Sequence, residues 1–255
     1  MFNSIKSSGR QIALYIFILW TSIACHPYFA PVDQARYTRL QIDSTRTAQA
    51  DYVQFYQPYK QQLDKEMNRV IGQSALALTK PNAPETLLGN FFADALLQQG
   101  RKLNPAIDIA FGTKGGLRTD LPQGDITVRH LYELMPFENE LVVLTLSGKQ
   151  IDALARFIAS TGGQPVAGLS MHIVKGKPRN IRIRDTPLDI QGKYVVLTYD
   201  YLANGGDHIQ GFSHPLERNN LGIKVRECLM DYVEACTSAG QVINTQLDGR
   251  IKIDE

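Results

Sequence analysis

The chain has 255 residues, 44% of them hydrophobic and 20% charged, enough to bury a sizeable core in one large domain or two small ones. Lysine and arginine number 27 against 25 acidic residues, but Lys6 and Arg10 sit in a leader-like segment with no acids, which leaves the rest of the chain balanced. That balance argues against a nucleic-acid footprint, and the chain carries no heptad seam, collagen period or short internal repeat.

Residues 1–24 read as a signal peptide. Lys6 and Arg10 form a positive start, and Ile12 to Trp20 is an apolar stretch too short to span a bilayer with ease. Thr21-Ser-Ile-Ala-Cys25 resembles a bacterial lipobox, loosely, since Ser22 stands where leucine is usual. On that reading Cys25 is lipidated, and the protein is exported and held at the cell envelope by its lipid anchor, on the periplasmic side or at the outer membrane. An ordinary secretory leader with a chance cysteine is the competing reading. Residues 25–50, polar and carrying Pro27 and Pro31, read as a tether, and residues 51–255 as the folded domain.

The domain opens with a predicted helix from Asp51 to Arg69, where Tyr52, Phe55, Tyr56, Tyr59, Leu63 and Met67 recur at helical spacing. A strand is expected within Val70–Leu78, and then a helix over Glu85–Gln99 that buries Leu87, Leu88, Phe91, Phe92, Ala95 and Leu96. Gly89 inside it predicts a close approach of another backbone, and Gly100 reads as its C-cap. A short strand over Ala106–Phe111 precedes a glycine-containing loop, Thr113–Gly124. Thr127 caps a short helix over Val128–Glu133, and Pro136 ends it. A strand over Glu140–Leu146 and a helix over Gln150–Ser160 follow. Strands are expected over Ser170–Lys175, Asn180–Arg184 and Lys193–Thr198, and then a helix over Gly222–Ala239 and a last strand over Gly249–Ile253. Cys228 and Cys236, eight residues apart on that helix, are about 12 Å apart and out of disulfide reach. The irregular alternation favours an α+β domain with mixed sheets.

Three loops carry chemistry. Gly115-Gly116-Leu117-Arg118 follows a buried strand; paired glycines expose backbone N–H groups, and the arginine offers a rigid fork for phosphate or ribose oxygens. Met135-Pro136-Phe137-Glu138-Asn139 can project Phe137 as a stacking platform. Tyr201-Leu-Ala-Asn-Gly205-Gly206-Asp207 joins an aromatic, a glycine pair and a carboxylate in one turn. In isolation the first two loops read as a glycine turn and a core phenylalanine. Together, two aromatics to sandwich a planar base, a carboxylate for ribose hydroxyls and an arginine for an anionic end suit a nucleoside or nucleotide.

These motifs resemble the C-terminal domain of the 5′-nucleotidases. The resemblance rests on Gly89-Asn90 opening a Phe-Phe-Ala-Asp-Ala-Leu helix, Gly115-Gly-Leu-Arg118, Leu121-Pro-Gln-Gly-Asp-Ile-Thr127, Pro136-Phe-Glu-Asn139 and Tyr201-Leu-Ala-Asn-Gly-Gly-Asp207, and spans about residues 50–254. It implies a four-layer α/β/β/α sandwich with mixed sheets that supplies substrate specificity rather than the metal centre. Phe137 and Tyr201 match the aromatic clamp, Tyr201 in place of the more usual phenylalanine. Arg118 matches the arginine on the ribose and phosphate side, Asp207 the ribose-binding aspartate, and Asn139 a position that reaches the base in some members. Gly115, Gly116, Gly205 and Gly206 belong to the same two loops. The chain departs from the family pattern at Thr113, where asparagine is usual, and at His208, where glycine is common. It also has no arginine between Arg69 and Arg101, so only Lys80 can supply the family's upstream cation.

The family's dinuclear metal site requires histidine and aspartate motifs that none of His26, His130, His172, His208 and His214 belongs to. The expectation is a chain with no cofactor and no catalytic residue of its own, divalent metals being held by a separate metallophosphoesterase partner. The pair would hydrolyse nucleotides outside the cytoplasm. A nucleoside-binding lipoprotein with no catalytic partner is the alternative.

Overall fold

The computed structural model describes residues 38–254. The leader, Cys25 and the first part of the tether lie outside the described residues. Two compact units divide the chain, one ending at Tyr52 and the other beginning at Val53. In the described part of the first, a turn forms at Asp43, whose Oδ1 accepts the amide and the hydroxyl of Thr45 at 2.9 and 2.6 Å.

Helix α1 (Ala50–Met67) forms at its apolar spacing, yet none of its residues is buried. Phe55, Tyr59 and Leu63 are 60–72% exposed. Periodicity specifies a helix with an apolar stripe but not what covers the stripe.

Strand β1 (Val70–Ser74) pairs antiparallel with β3 (Gly124–Thr127). Helix α2 (Leu87–Leu103) begins at Thr86, whose hydroxyl accepts the Gly89 amide at 3.0 Å. It does not stop at Gly100 as the sequence suggested; it runs on to a cap at Asn104. A Cβ at Gly100 would lie 2.5 Å from the Leu197 side chain, so glycine serves there to bring the helix onto a strand rather than to end it. At Gly89 the tight neighbour is the capping hydroxyl itself, 2.8 Å from where a Cβ would stand, with Pro165 beyond it.

The main sheet runs β10-β4-β9-β2-β5: Glu217–Lys224, Glu140–Ser147, Lys193–Tyr199, Ile109–Phe111 and Val166–Ala167. Strand β9 lies antiparallel to β4 and parallel to β2, so the sheet is mixed. The second sheet, β11-β6-β7-β8, comprises Ile251–Asp254, Leu169–Val174, Lys177–Ile183 and Thr186–Pro187, and it is mixed too. Helices α3 (Val128–Leu134) and α4 (Gly148–Ser160) start at capping boxes on Thr127 and Ser147. Helix α6 (Val225–Ser238) packs on α2 and β1, and α4 lies against β4, β7 and β9. The result is the expected mixed α+β architecture.

Strand β10 is absent from the sequence reading, which places the start of the last helix inside it. Its Glu-Arg-Asn-Asn-Leu-Gly-Ile-Lys run lies at the sheet edge with no residue buried, so no alternating pattern marks it. Cys228 and Cys236 both sit on α6 as free thiols, and burial pushes the Cys228 thiol up to about 12.

Candidate functional site

Strand β9 delivers the first side chains of the site. It ends at the buried Tyr199, and one turn of helix, α5 (Asp200–Ala203), carries Tyr201 out of the sheet. Asp200 fixes this corner: its Oδ1 accepts the Tyr201 amide at 2.8 Å and the Glu140 amide at 3.2 Å. Gly205 takes φ 91°, and Asp207 and His208 follow at φ 53° and 55°. Two consecutive non-glycine residues in the left-handed region aim the carboxylate back over the turn.

A cavity of about 330 Å³ opens there, lined by Thr113, Gly115, Gly116, Arg118, Phe137, Asn139, Tyr199, Tyr201 and Asp207. All three chemistry-bearing loops therefore meet. Gly205 and Gly206 do not line the cavity; they shape the turn beneath it. A Cβ at Gly206 would stand 2.5 Å from the Tyr201 ring, so the ring lies directly on that glycine. Gly116 has the same relation to Tyr199, whose hydroxyl lies 2.8 Å from where its Cβ would be. The Gly116 amide is engaged in a turn, donating to the Thr113 carbonyl at 3.1 Å, rather than exposed for a ligand.

Asp207 is held by neutral donors. The Thr113 hydroxyl donates to Oδ2 at 2.6 Å, and the Tyr201 hydroxyl donates to Oδ1 at 3.0 Å while accepting the Asp207 amide at 3.3 Å. Tyr199 lies below, its hydroxyl 3.4 Å from Thr113 Oγ1. Burial pushes Tyr199 up to about 12, so at neutral pH it is a phenol.

Phe137 projects from the loop after α3 and is 39% exposed. Arg226, buried on α6, shapes that loop from behind. It donates to the carbonyls of Met135 and Phe137 at 3.2 and 3.3 Å, pairs with Glu138 at 2.5 Å, and lies 3.9 Å from the centre of the Tyr132 ring. Lys224 pairs with the same carboxylate, and these hydrogen bonds, Lys224 first, hold Glu138 down at about 2. Arg118 spans two of the loops: Nη1 donates to the Gly115 carbonyl at 3.2 Å, and the guanidinium lies 5.9 Å from the Phe137 ring centre. The Asn139 carbonyl accepts the Val225 amide at 2.9 Å, which ties the Phe137 loop to α6.

Lys80 does not take the place of an upstream arginine in the cavity. Its ammonium lies under the glycine loop, donating to the carbonyls of Leu117 and, at 3.2 Å, Lys114. Lys114 is engaged in turn with the carbonyls of Ala83 at 2.6 Å and Gly162 at 3.3 Å, and burial lowers its pKa. Among the described residues no group of three or more His, Cys, Asp or Glu side chains is placed to hold a metal ion.

A larger cavity, about 440 Å³, lies elsewhere, beside Arg182, Arg184 and Arg250. Two of its cations are internally satisfied. Arg250 pairs with Asp94 and Asp248 at 2.7 and 2.8 Å, and Arg184 with Asp108 at 3.0 Å. It is a structural ion-pair network without aromatic lining.

The sequence reading does not single out Tyr199, Arg226 or the link from Thr113 to Asp207. Tyr199 stands two residues before Tyr201, but it ends β9 while Tyr201 rides the helical turn after it, so strand alternation does not relate the two. Arg226 has no local signal either, because its contacts are long-range.

The family model of the 5′-nucleotidase C-terminal domain matches residues 68–214, a segment that contains every lining residue of the smaller cavity. The chain belongs to this family. It is similar to the trifunctional nucleotide phosphoesterase protein YfkN of Bacillus subtilis, 27% identical over 240 residues, which cover 86% of this chain and 16% of that protein. A 5′-nucleotidase of Vibrio parahaemolyticus is 26% identical over 193 residues, 71% of this chain and 33% of the relative. Among solved structures, a 5′-nucleotidase precursor from Thermus thermophilus superposes with a TM-score of 0.67 and 28% identity, over 78% of this chain and 42% of that one. The chain thus spans less than half the length of each of these relatives.

Proposed function

We propose that this chain is a substrate-recognition domain that binds a nucleoside or nucleotide and works in extracytoplasmic nucleotide hydrolysis with a metallophosphoesterase on a separate polypeptide. The observation that carries the ligand class is the convergence of Phe137, Tyr201, Arg118 and Asp207 on one cavity of about 330 Å³. Phe137 and Tyr201 stack on the base, Asp207 accepts hydrogen bonds from the ribose, and Arg118 faces the anionic end. The names of the relatives, phosphoesterase and nucleotidase, support the same ligand class. Divalent metals belong to the partner, and Cys25 anchors the chain at the envelope.

Calorimetry with adenosine, AMP and UDP-sugars tests the ligand. Phe137→Ala and Tyr201→Ala are each expected to weaken binding by more than about 1 kcal/mol, the scale of one base–aromatic stack. Unchanged affinity in both variants sinks the clamp. Co-purification with a metallophosphoesterase, and a gain of hydrolysis on mixing, tests the partnership. A chain that binds nucleotides yet never associates is instead a binding lipoprotein.

A further inference from the structure

Thr113 and Tyr201 come from two different loops, and both hydroxyls end on the same carboxylate. Thr113 donates to Oδ2 of Asp207 and Tyr201 to Oδ1. Tyr201 also accepts the backbone amide of Asp207, a residue held at φ 53°. Among the described residues no lysine or arginine pairs with Asp207.

We propose that Thr113 and Tyr201 are positioning residues which, acting through Asp207, make the cis-diol of a ribose the determinant of affinity at this cavity. The inference rests on the nucleoside reading given above. An ionised carboxylate offers about four acceptor positions, two on each oxygen. One hydroxyl is already on each oxygen, so about one position per oxygen remains for a ligand, and a vicinal diol supplies two donors. A ligand with no hydroxyl at either carbon leaves both unfilled. Neutral hydroxyl donors orient the group without neutralising it, as a paired cation would, so its charge is kept for the ligand. The Tyr201 hydroxyl braces the left-handed backbone at the same time, and its ring is seated separately on Gly206. Removal of the hydroxyl alone therefore disturbs Asp207 and leaves the stacking platform in place.

The test is calorimetry on the full chain with adenosine, uridine and their 2′,3′-dideoxy counterparts. The wild type is expected to favour the ribonucleosides at least tenfold. Tyr201→Phe and Thr113→Val should each weaken ribonucleoside binding fivefold or more and leave dideoxynucleoside binding within twofold. Thr113→Ser, which restores the hydroxyl, should recover the preference. Equal losses for both sugar classes would show that the hydroxyls serve only the fold of the loop, and would overturn the proposal. Tighter ribonucleoside binding by Tyr201→Phe would overturn it too, because the hydroxyl would then compete with the diol. Wild-type binding that ignores the sugar refutes the diol inference alone. Failure of all four nucleosides to bind refutes it together with the ligand class on which it rests.

Discussion

Gly115 and Gly116 are adjacent, and the structure gives them opposite sensitivities to one methyl group. A Cβ at Gly116 would stand 2.8 Å from the Tyr199 hydroxyl and 3.3 Å from the Thr113 carbonyl. Tyr199 has no room to retreat. It is 1% exposed, at the end of a strand paired on both sides. Neither glycine has a positive φ, so alanine meets no backbone penalty and the effect is purely steric. Gly116→Ala is therefore expected to cost about 1–3 kcal/mol, the range for overpacking a tight interior. At Gly115 the nearest atom to an added Cβ is Asp207 Oδ2 at 3.8 Å, an ordinary contact. Gly115→Ala should be neutral, or stabilise by about 0.5 kcal/mol through the unfolded chain. Urea unfolding of both variants, with Tyr199→Phe and the double variant Gly116→Ala/Tyr199→Phe, completes the experiment. Tyr199→Phe alone should cost about 1 kcal/mol for the weak hydroxyl contact. It also removes the atom that the new methyl meets, so the double variant should be more stable than the sum of the single losses by about 1 kcal/mol or more. Losses that add within about 0.5 kcal/mol would show that the two groups do not touch, and would refute the packing account of Gly116.

His208, at φ 55°, should be better as glycine: relief of a left-handed L-residue, offset by glycine's extra freedom when unfolded, predicts that His208→Gly gains about 0.5–1 kcal/mol in denaturant unfolding. The Glu138 carboxyl, held below its ordinary value of 4.5 and down at about 2 by Lys224 and Arg226, contributes stability that is fully present above pH 4.5 and is lost as pH falls from there through about 2. Carboxyl NMR should place its titration midpoint well under 4.5, and Arg226→Met should raise that midpoint while broadening the Phe137 ring signals. Arg250→Met should cost about 2 kcal/mol by thermal unfolding, less than for a fully buried pair because its carboxylate partners are about half exposed.

Much of the fold is legible in the sequence where burial writes a period. Helices α2, α3, α4 and α6 carry apolar faces at helical spacing, strands β4 and β9 carry continuous apolar runs, and the Thr127 and Ser147 caps announce two of the helix starts. The edge strand β10 carries no such pattern, because its residues lie at the border of the sheet with none buried. Gly100 misleads as a helix end because two different demands, a left-handed cap and a close approach, select the same residue. Residues Arg118, Phe137, Asn139, Tyr201 and Asp207 are recognisable by type and by family motif, and the structure gathers them in one cavity. What holds them there is not legible, since Arg226 reaches from α6 to the Phe137 loop and Tyr199 from β9 to Thr113, contacts that local spacing does not encode.

The glycines of the two main loops also acquire a different meaning. Glycine pairs beside an arginine or an aspartate suggest backbone laid open to a ligand. Here Gly116 makes room for the Tyr199 hydroxyl and Gly206 for the Tyr201 ring. Both tyrosines come from one corner, where β9 gives way to α5, and through Thr113 and Asp207 their hydroxyls join the two loops into one hydrogen-bonded unit. Thr113 and Tyr201 are both parts of that unit, so their effects on binding should be coupled through Asp207. A chain with threonine and phenylalanine at these positions would hold Asp207 by one oxygen only. Substituting either position alone therefore understates what the two do together.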